Sequence, residues 1–289
     1  MLLFCHALLN MVYILKIALV TGASSGIGRD LSILLARSGY SVALASRRIE
    51  VLEDIAKRIR FEGGSAEPIK TDLSSFDEAS ALIDRVIKSF GGIDVLVNNA
   101  GFGIYGPIDE VDESDIYRIY MVNTIAPVIL IKKAVPHMRA KGGGCIVNIS
   151  SLAAYTPMPW LSLYVSSKAA IKSLTDSLRI ELKPHGIRVI GVYPGYVDTE
   201  FHRSVILTRT ASKIRWGSSR HPFTPMLQSE HVAREIVKGI KDPDFNRDIV
   251  IGARYKLVKT LSQHLGWLVT RSLENMYRRN IERAGILGE

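Results

Sequence analysis

Residues 15–28 read Leu15-Lys16-Ile17-Ala18-Leu19-Val20-Thr21-Gly22-Ala23-Ser24-Ser25-Gly26-Ile27-Gly28. They pass from an apolar strand through a glycine-rich turn into a helical pattern led by Leu31, Leu34 and Leu35. Glycines here let the backbone turn tightly. They also let a pyrophosphate approach the helix N-terminus, whose free N–H groups and dipole favour anions. The spacing is GxxxGxG, not GxGxxG. A turn made only for packing would account for the glycines as well; position between the first strand and the first helix points to a nucleotide.

Outward from this turn the alternation repeats. The strand candidates are Leu15–Val20, Ser41–Ser46, Ala66–Lys70, Ile93–Val97, Cys145–Ile149, Arg188–Tyr193 and Asp248–Ile251. Between them apolar residues recur at three- and four-residue spacing, as in Leu52, Ile55, Ala56 and Ile59, or Leu82, Ile83, Val86 and Ile87. Continuous apolar strands separated by amphipathic helices predict an α/β fold. The expected architecture is a Rossmann-like, doubly wound parallel sheet of about seven strands with helices on both faces. One domain is expected over residues 11–253, followed by a basic amphipathic helical tail over 254–289.

The chain has 289 residues, 47% of them apolar. Disorder and a disulfide-stapled miniprotein are thereby excluded. The net charge is +9, but unevenly spread: from Arg203 onward there are 16 basic and 8 acidic residues, against 21 and 20 before it. That distribution argues against a nucleic-acid coat. Cys5 and Cys145 lie far apart, and neither they nor the seven histidines have metal-ligand spacing, so no metal is expected. Unpaired thiols fit a reducing, cytoplasmic setting. Residues 1–10 form an apolar N-terminal extension with two readings. Either they lean on a membrane, or Met11 is the true start and they lie outside the native chain.

At the end of the second strand stand Ser46, Arg47 and Arg48. A dinucleotide fold that prefers NAD places an acid here to hold the ribose 2′-hydroxyl. None is present, and a guanidinium at Arg47 suits a 2′-phosphate, which favours NADP. The competing reading makes both arginines solvated helix-start residues.

TGASSGIG at 21–28, Asn98-Asn99-Ala100-Gly101, Asn123, Ser150-Ser151, Tyr164-Val165-Ser166-Ser167-Lys168 and Pro194-Gly195 occur in that order. Together they resemble the short-chain dehydrogenase/reductase family over roughly residues 15–240. The resemblance implies a catalytic set of Asn123, Ser151, Tyr164 and Lys168, with Ser151 chosen over Ser150 by its thirteen-residue distance from the tyrosine. It implies NADP(H) contacts at Thr21, Gly22, Ser24, Ser25, Gly26, Ile27 and Gly28 in the turn, and at Arg47, Asp72 and Leu73 on the adenine side. Further contacts are implied at Asn98, Ala100 and Gly101, at Tyr164 and Lys168, and at Pro194, Gly195, Val197 and Thr199 by the nicotinamide. It also implies a homo-oligomer.

Tyr164 and Lys168 stand four residues apart, so on a helix they share a face. A tyrosine titrates near ~10, too high for proton exchange at neutral pH. A nearby ammonium and an oxidised nicotinamide are expected to lower it. Tyr164 then donates a proton to a carbonyl oxygen or takes one from an alcohol, while Ser151 holds that oxygen. By resemblance, Lys168 also holds the ribose hydroxyls and Asn123 orders a water behind it. The expectation is an NADP-dependent oxidoreductase interconverting a carbonyl compound and its alcohol. The rivals are a non-catalytic dinucleotide-binding regulator and a peripheral membrane or scaffold protein on the same fold.

Residues 200–228 mix Phe201, Val205, Ile206, Leu207, Ile214, Trp216, Phe223 and Met226 with Arg203, Arg209, Lys213, Arg215 and Arg220. One reading is a mobile apolar lid with a basic rim, for a lipid-like or acidic small molecule. The other is a surface excursion packed onto the domain. The acidic run Asp109, Glu110, Asp112, Glu113 and Asp115 is assigned to helix capping. In the tail, Val258, Leu261, Leu265, Leu268, Val269, Leu273 and Met276 form a stripe weakened at Gly266. Lys256, Lys259, Arg271, Arg278, Arg279 and Arg283 flank it. Such a stripe packs on the domain or a neighbouring subunit, or lies on an anionic membrane.

Overall fold

Six strands line up in parallel, and the connections between them cover both faces. A computed structural model describes residues 15–213 and 226–283. The extension at 1–10 and the lid residues Ile214, Trp216 and Phe223 lie outside the described residues. The strands are β1 (Lys16–Thr21), β2 (Tyr40–Ser46), β3 (Ser65–Lys70), β4 (Val95–Asn98), β5 (Gly144–Ile149) and β6 (Ile187–Val192), in the spatial order β3-β2-β1-β4-β5-β6. Chain order reverses between β1 and β4, where Val20 lies beside Leu44 on one side and Val97 on the other. In such sheets the ligand crevice opens at the carboxyl ends of the strands beside this reversal.

On one face α1 (Gly26–Arg37), α2 (Ile49–Phe61) and α7 (Ser229–Lys241) bury Leu31, Leu35, Leu52, Ile59 and Ile236 against the sheet. On the other, α3 (Phe76–Phe90), α5 (Ala126–Ala140) and α6 (Ser162–Glu181) cover Leu19, Leu96 and Ile146. Each fully buried leucine or isoleucine contributes roughly 1.5–3 kcal/mol through removal from water. The continuous helical stretch Glu113–Ala140, which begins with α4 (Glu113–Tyr120), is long and apolar enough to cross a membrane by length and composition. Here it is a core helix, with Leu130, Ile131, Ala134 and Met138 buried on the sheet.

The expected seventh strand, Asp248–Ile251, is reduced to a single parallel bridge between Val192 and Ile249. Two groups stop the ladder from growing. The Asn246 side chain accepts the Val189 N–H at 2.8 Å, a donor that a longer strand would use. Gly252, at φ +90°, then turns the chain into the next helix. Pro68 sits in β3, where an edge position makes its missing N–H harmless. β4 starts two residues later than expected, although the Asp94 backbone still bonds Ile17 and Cys145, and its carboxylate adds the Ile17 N–H at 2.7 Å and a Lys141 hydrogen bond at 2.9 Å.

The tail is two helices, α8 (Ala253–His264) and α9 (Gly266–Arg283), broken at the glycine expected to weaken it. Asp248 fastens α8 to the domain, accepting hydrogen bonds from Arg179 at 2.6 Å and Lys259 at 2.9 Å. Thr156 and Ser262 share a hydroxyl–hydroxyl bond at 2.9 Å.

The packing of the opening turn has a measurable consequence. A Cβ on Gly28 would stand 2.3 Å from the Gly22 carbonyl oxygen and 2.4 Å from Asn99 Nδ2. Gly28→Ala is expected to destabilise the protein by about 1–3 kcal/mol, the usual cost of overpacking. Urea unfolding measures this, and an unchanged midpoint would show that the turn yields freely.

Candidate active site

Thr21 ends β1, and its hydroxyl is fully used inside the fold. It donates to Val97 O at 3.1 Å and accepts the N–H groups of Asn99 at 3.0 Å and Ala100 at 3.1 Å. A hydroxyl has one donor and two acceptor positions, so none is left for a ligand. Thr21 therefore braces the turn with its hydroxyl. Asn99, which the sequence reading did not single out, completes the brace by donating to Thr21 O at 2.9 Å and Gly22 O at 3.3 Å. Asn98 donates instead to Asn148 Oδ1 at 2.8 Å, deep in the sheet, and its own Oδ1 is buried without a partner.

The turn presents the start of α1. Ser25 is the N-cap in extended conformation, its side chain makes no cap bond, and the first helical turn carries no acid. Ala23 and Ile27 pack into the core. A Cβ on Gly26 would meet Thr199 Cγ2 at 2.8 Å, so the segment after β6 leans on the turn from above. Within that segment Pro194 O accepts the Leu152 N–H at 3.1 Å, and Val197 pairs with Leu227. Gly195 lies under a tail residue: a Cβ there would meet the Tyr255 ring at 2.2 Å, and the Tyr196 N–H donates to Tyr255 Oη at 3.1 Å.

At the end of β2 the arginine that reaches the turn is Arg48. It donates to Ser24 Oγ at 3.2 and 3.0 Å and to Glu200 Oε2 at 3.1 Å. Arg47 is exposed and lies on the Asp72 side. Burial works against the Asp72 charge, but two Ser74 hydrogen bonds and the Arg47 guanidinium hold its carboxyl below the usual range. Leu73 beside it is buried. Arg48 is the residue the sequence reading passed over. Its partner Ser24 lies 24 positions away, a pairing that local spacing does not disclose.

Ser151, Tyr164 and Lys168 meet beyond β5. Ser150 is buried and spends its hydroxyl on Lys168 O at 2.8 Å. Ser151 is the half-buried one, accepts the Ala153 N–H at 3.1 Å and stands near enough to Tyr164 to draw its phenol downward. Tyr164 and Lys168 share one face of α6, with Lys168 Nζ 5.9 Å from the Tyr164 ring centroid and donating to Ile149 O at 2.9 Å. Burial lowers the Lys168 ammonium to about 8. Burial also pushes the Tyr164 phenol above its ordinary value, and Ser151 pulls it only partway back. The chain's own groups thus do not produce the expected lowering. Desolvation of the ring outweighs the pull of Ser151.

Asn123 sits in one π-helical turn, Met121–Ile125, between α4 and α5. Such turns insert an extra residue and redirect a side chain. Its amide donates to Phe102 O at 2.9 Å and Ser167 Oγ at 3.0 Å and accepts the Phe102 N–H at 3.1 Å. A Cβ on Gly101 would lie 3.1 Å from Asn123 Oδ1 and 3.2 Å from Lys168 Nζ, so only glycine leaves the space between them open.

The described part of the 200–228 excursion is tied down, against the reading of a mobile lid. Ile104–Tyr105 pairs in parallel with Ile206–Leu207, and the Phe201 ring lies 5.5 Å from that of Tyr164. Glu110 does not cap a helix. It accepts the Thr210 N–H at 2.8 Å and the Thr210 hydroxyl, which hold its carboxyl down to about 2. Opposite, Trp160 adopts a left-handed φ of +65°, unusual for a bulky residue. Its carbonyl accepts the Gly106 N–H at 2.9 Å, and its ring meets Tyr105 at 5.4 Å and Tyr277 of α9 at 5.9 Å.

The residues fit a bound dinucleotide. The start of α1 is uncapped by Ser25, glycines replace side chains where Thr199 and Ala100 close in, and a guanidinium waits at Ser24.

Residues 16–209 match the family model described as short chain dehydrogenase. A short chain dehydrogenase of Pseudocercospora fijiensis is 38% identical over 200 residues, 68% of this chain and 65% of that protein's length. Among solved structures, a 7α-hydroxysteroid dehydrogenase in complex with NADH and 7-oxo glycochenodeoxycholic acid superposes with a TM-score of 0.72. It is 30% identical and covers 82% of this chain and 92% of its own. A metagenomic short-chain oxidoreductase in complex with NADP superposes at 0.69 with 30% identity, covering 82% and 96%.

Two titrations test the geometry. In the nucleotide-free protein the Lys168 ammonium is expected to lose its proton with a midpoint near 8, followed by nitrogen NMR of labelled lysine. A midpoint above 10 would mean that water reaches it. Glu110 has a depressed folded-state pKa, about 2 against 4.5, so its stabilising effect is complete above the higher value and disappears as pH falls through the lower. Glu110→Gln is therefore expected to lower stability at neutral pH, with the difference from wild type closing between pH 4.5 and 2. A difference independent of pH would remove the carboxylate from the account.

Proposed function

The chain belongs to the short-chain dehydrogenase family, and on that premise we propose that it is an NADP-dependent oxidoreductase interconverting a carbonyl compound and its alcohol. The observation that carries this reading is the meeting of Ser151, Tyr164 and Lys168 beside the mouth of the glycine turn, with Gly101 keeping the space between Lys168 and Asn123 open.

When bound, the nicotinamide supplies or accepts the hydride. The protein's part is position and proton. Ser151 Oγ hydrogen-bonds the substrate oxygen and fixes it next to Tyr164 Oη. A phenol held above its ordinary value arrives protonated, as a donor to a carbonyl oxygen must. Lys168, charged below about 8, stands over the ring face and steadies the negative charge that the oxygen gains as its proton leaves. Asn123 acts one step further back, by fixing the Phe102 peptide and Ser167.

NADP rather than NAD follows from charge at the ribose end. β2 closes on neutral Ser46, and two guanidiniums follow, one at the Asp72 side and one at Ser24. A phosphate there gains charged hydrogen bonds from Arg48 that a bare hydroxyl would not. On the substrate side Phe201 faces Tyr164, and Val205 approaches Gly103. That apolar wall favours a bulky apolar carbonyl, in keeping with the steroid bound by the solved relative.

Turnover with NADPH against a panel of steroid, cyclic and linear ketones tests the reading. Tyr164→Phe is expected to lose on the order of 10²–10⁴ in turnover, the range of general acid–base catalysis. Unchanged turnover would refute the role of Tyr164. Joint replacement of Arg47 and Arg48 by alanine is expected to erase a preference for NADPH over NADH. Wild-type preference for NADH would overturn the cofactor assignment.

A further inference from the structure

The tail helices have two apolar faces, and the domain uses only one. The inner face is Tyr255, Lys259 and Ser262 on α8, then Tyr277 and Ile281 on α9. These residues meet Gly195, Asp248, Thr156 and Trp160 or are buried. The outer face carries Leu257, Leu261, Leu265 and Leu268, at intervals of four, four and three residues, with Trp267 beside them. Their exposures are 59%, 38%, 39% and 44%, and 64% for the tryptophan. A helix packed on a soluble domain normally turns polar residues outward. Five large apolar side chains along two consecutive helices leave an exposed patch of the kind that marks an interaction surface.

Charge identifies the partner. Residues 253–283 hold seven basic and two acidic side chains. Lys256, Arg271, Arg278 and Arg279 are exposed along the same helices. A second copy of the chain would bring two such cationic tails together, which like-charge repulsion opposes. A bilayer with anionic headgroups accepts both features. The leucines enter the acyl boundary, the indole of Trp267 suits the interface, and the basic residues meet the headgroups. Arg271, Glu274, Arg278, Arg279 and Glu282 are too polar a set for α9 to span the membrane, so it lies flat. We propose that the outer face of α8 and α9, through Leu257, Leu261, Leu265, Trp267 and Leu268, docks the protein on an anionic lipid bilayer.

The test is flotation of the full-length protein with phosphatidylcholine vesicles, with and without phosphatidylserine, at low and high salt. The wild type is expected to float with the anionic vesicles at low salt, and less at high salt. The triple variant Leu261→Gln, Leu265→Gln, Leu268→Gln is expected to lose at least tenfold of that bound fraction. It should keep its NADPH affinity and thermal midpoint, because none of these side chains touches the site. Three results would overturn the proposal: no flotation of the wild type on anionic vesicles, equal flotation of the variant, or leucine-dependent dimerisation in vesicle-free buffer without vesicle binding. Equal flotation would assign membrane contact to another part of the chain, such as the apolar residues 1–14. Because the readout is binding, it stands or falls apart from the proposed chemistry.

Discussion

The Thr21 hydroxyl joins β1 to β4 at the one place where the sheet changes direction. It takes in the N–H groups of Asn99 and Ala100 and gives its proton to Val97 O. Those bonds close the gap between two loops that would otherwise diverge, since the chain leaves β1 toward one face and β4 toward the other. Everything on the crevice floor is then placed by contact with this junction. Gly22 can lie on Ala100 only because it lacks a Cβ, and Gly28 can pass the Gly22 carbonyl for the same reason. Thr199 in turn rests on Gly26, which sets the roof. Loss of this one hydroxyl would leave two N–H groups without partners where water has little access, at a cost of about 1–3 kcal/mol each.

The reactive end of the site depends on burial in a complementary way. Lys168 is held by the Ile149 carbonyl under the Tyr164 ring, with Ser150 tying down its own backbone oxygen. The same dryness that depresses the ammonium raises the phenol, so two groups with similar proton affinities in water move apart, and the phenol keeps its proton where the ammonium gives its own up. Among the described residues the ammonium is held by the Ile149 carbonyl, with no carboxylate bonded to it.

The glycine turn, the strand order and the Ser151, Tyr164 and Lys168 set were legible because each depends on short-range pattern: an apolar run, a turn, a helical repeat of four. What the sequence could not disclose is pairwise and distant. Arg48 rather than Arg47 reaches Ser24 because α2 begins at Ile49 and directs that side chain across the crevice mouth. Glu110 looks like one capping acid among five until Thr210, a hundred residues on, is seen to take it. The seventh strand has the right composition, yet Asn246 and Gly252 limit it to one bridge. Tyr255 begins the tail in sequence but packs in space on the loop that follows β6, where Gly195 makes room for its ring. A boundary drawn at residue 253 by pattern therefore cuts through a packed contact.

That contact changes what the charge asymmetry means. In sequence the basic excess begins at Arg203 and trails away from the nucleotide motifs. In space it divides. Lys259 is neutralised against Asp248 as it pins α8, so its charge serves packing. Arg271, Arg278 and Arg279 of α9 are exposed, beside leucines that nothing in the described chain covers. Evolution toward solubility alone would have made that outer stripe polar at almost no energetic cost, because its side chains contribute little burial to the folded state. An apolar stripe kept where the fold does not require it, next to exposed cations, is the signature of a surface that is covered by something else. The inner face of the same helix pair touches Trp160, just before α6, and Gly195, just after β6. Whatever holds the outer face thereby also steadies two walls of the site.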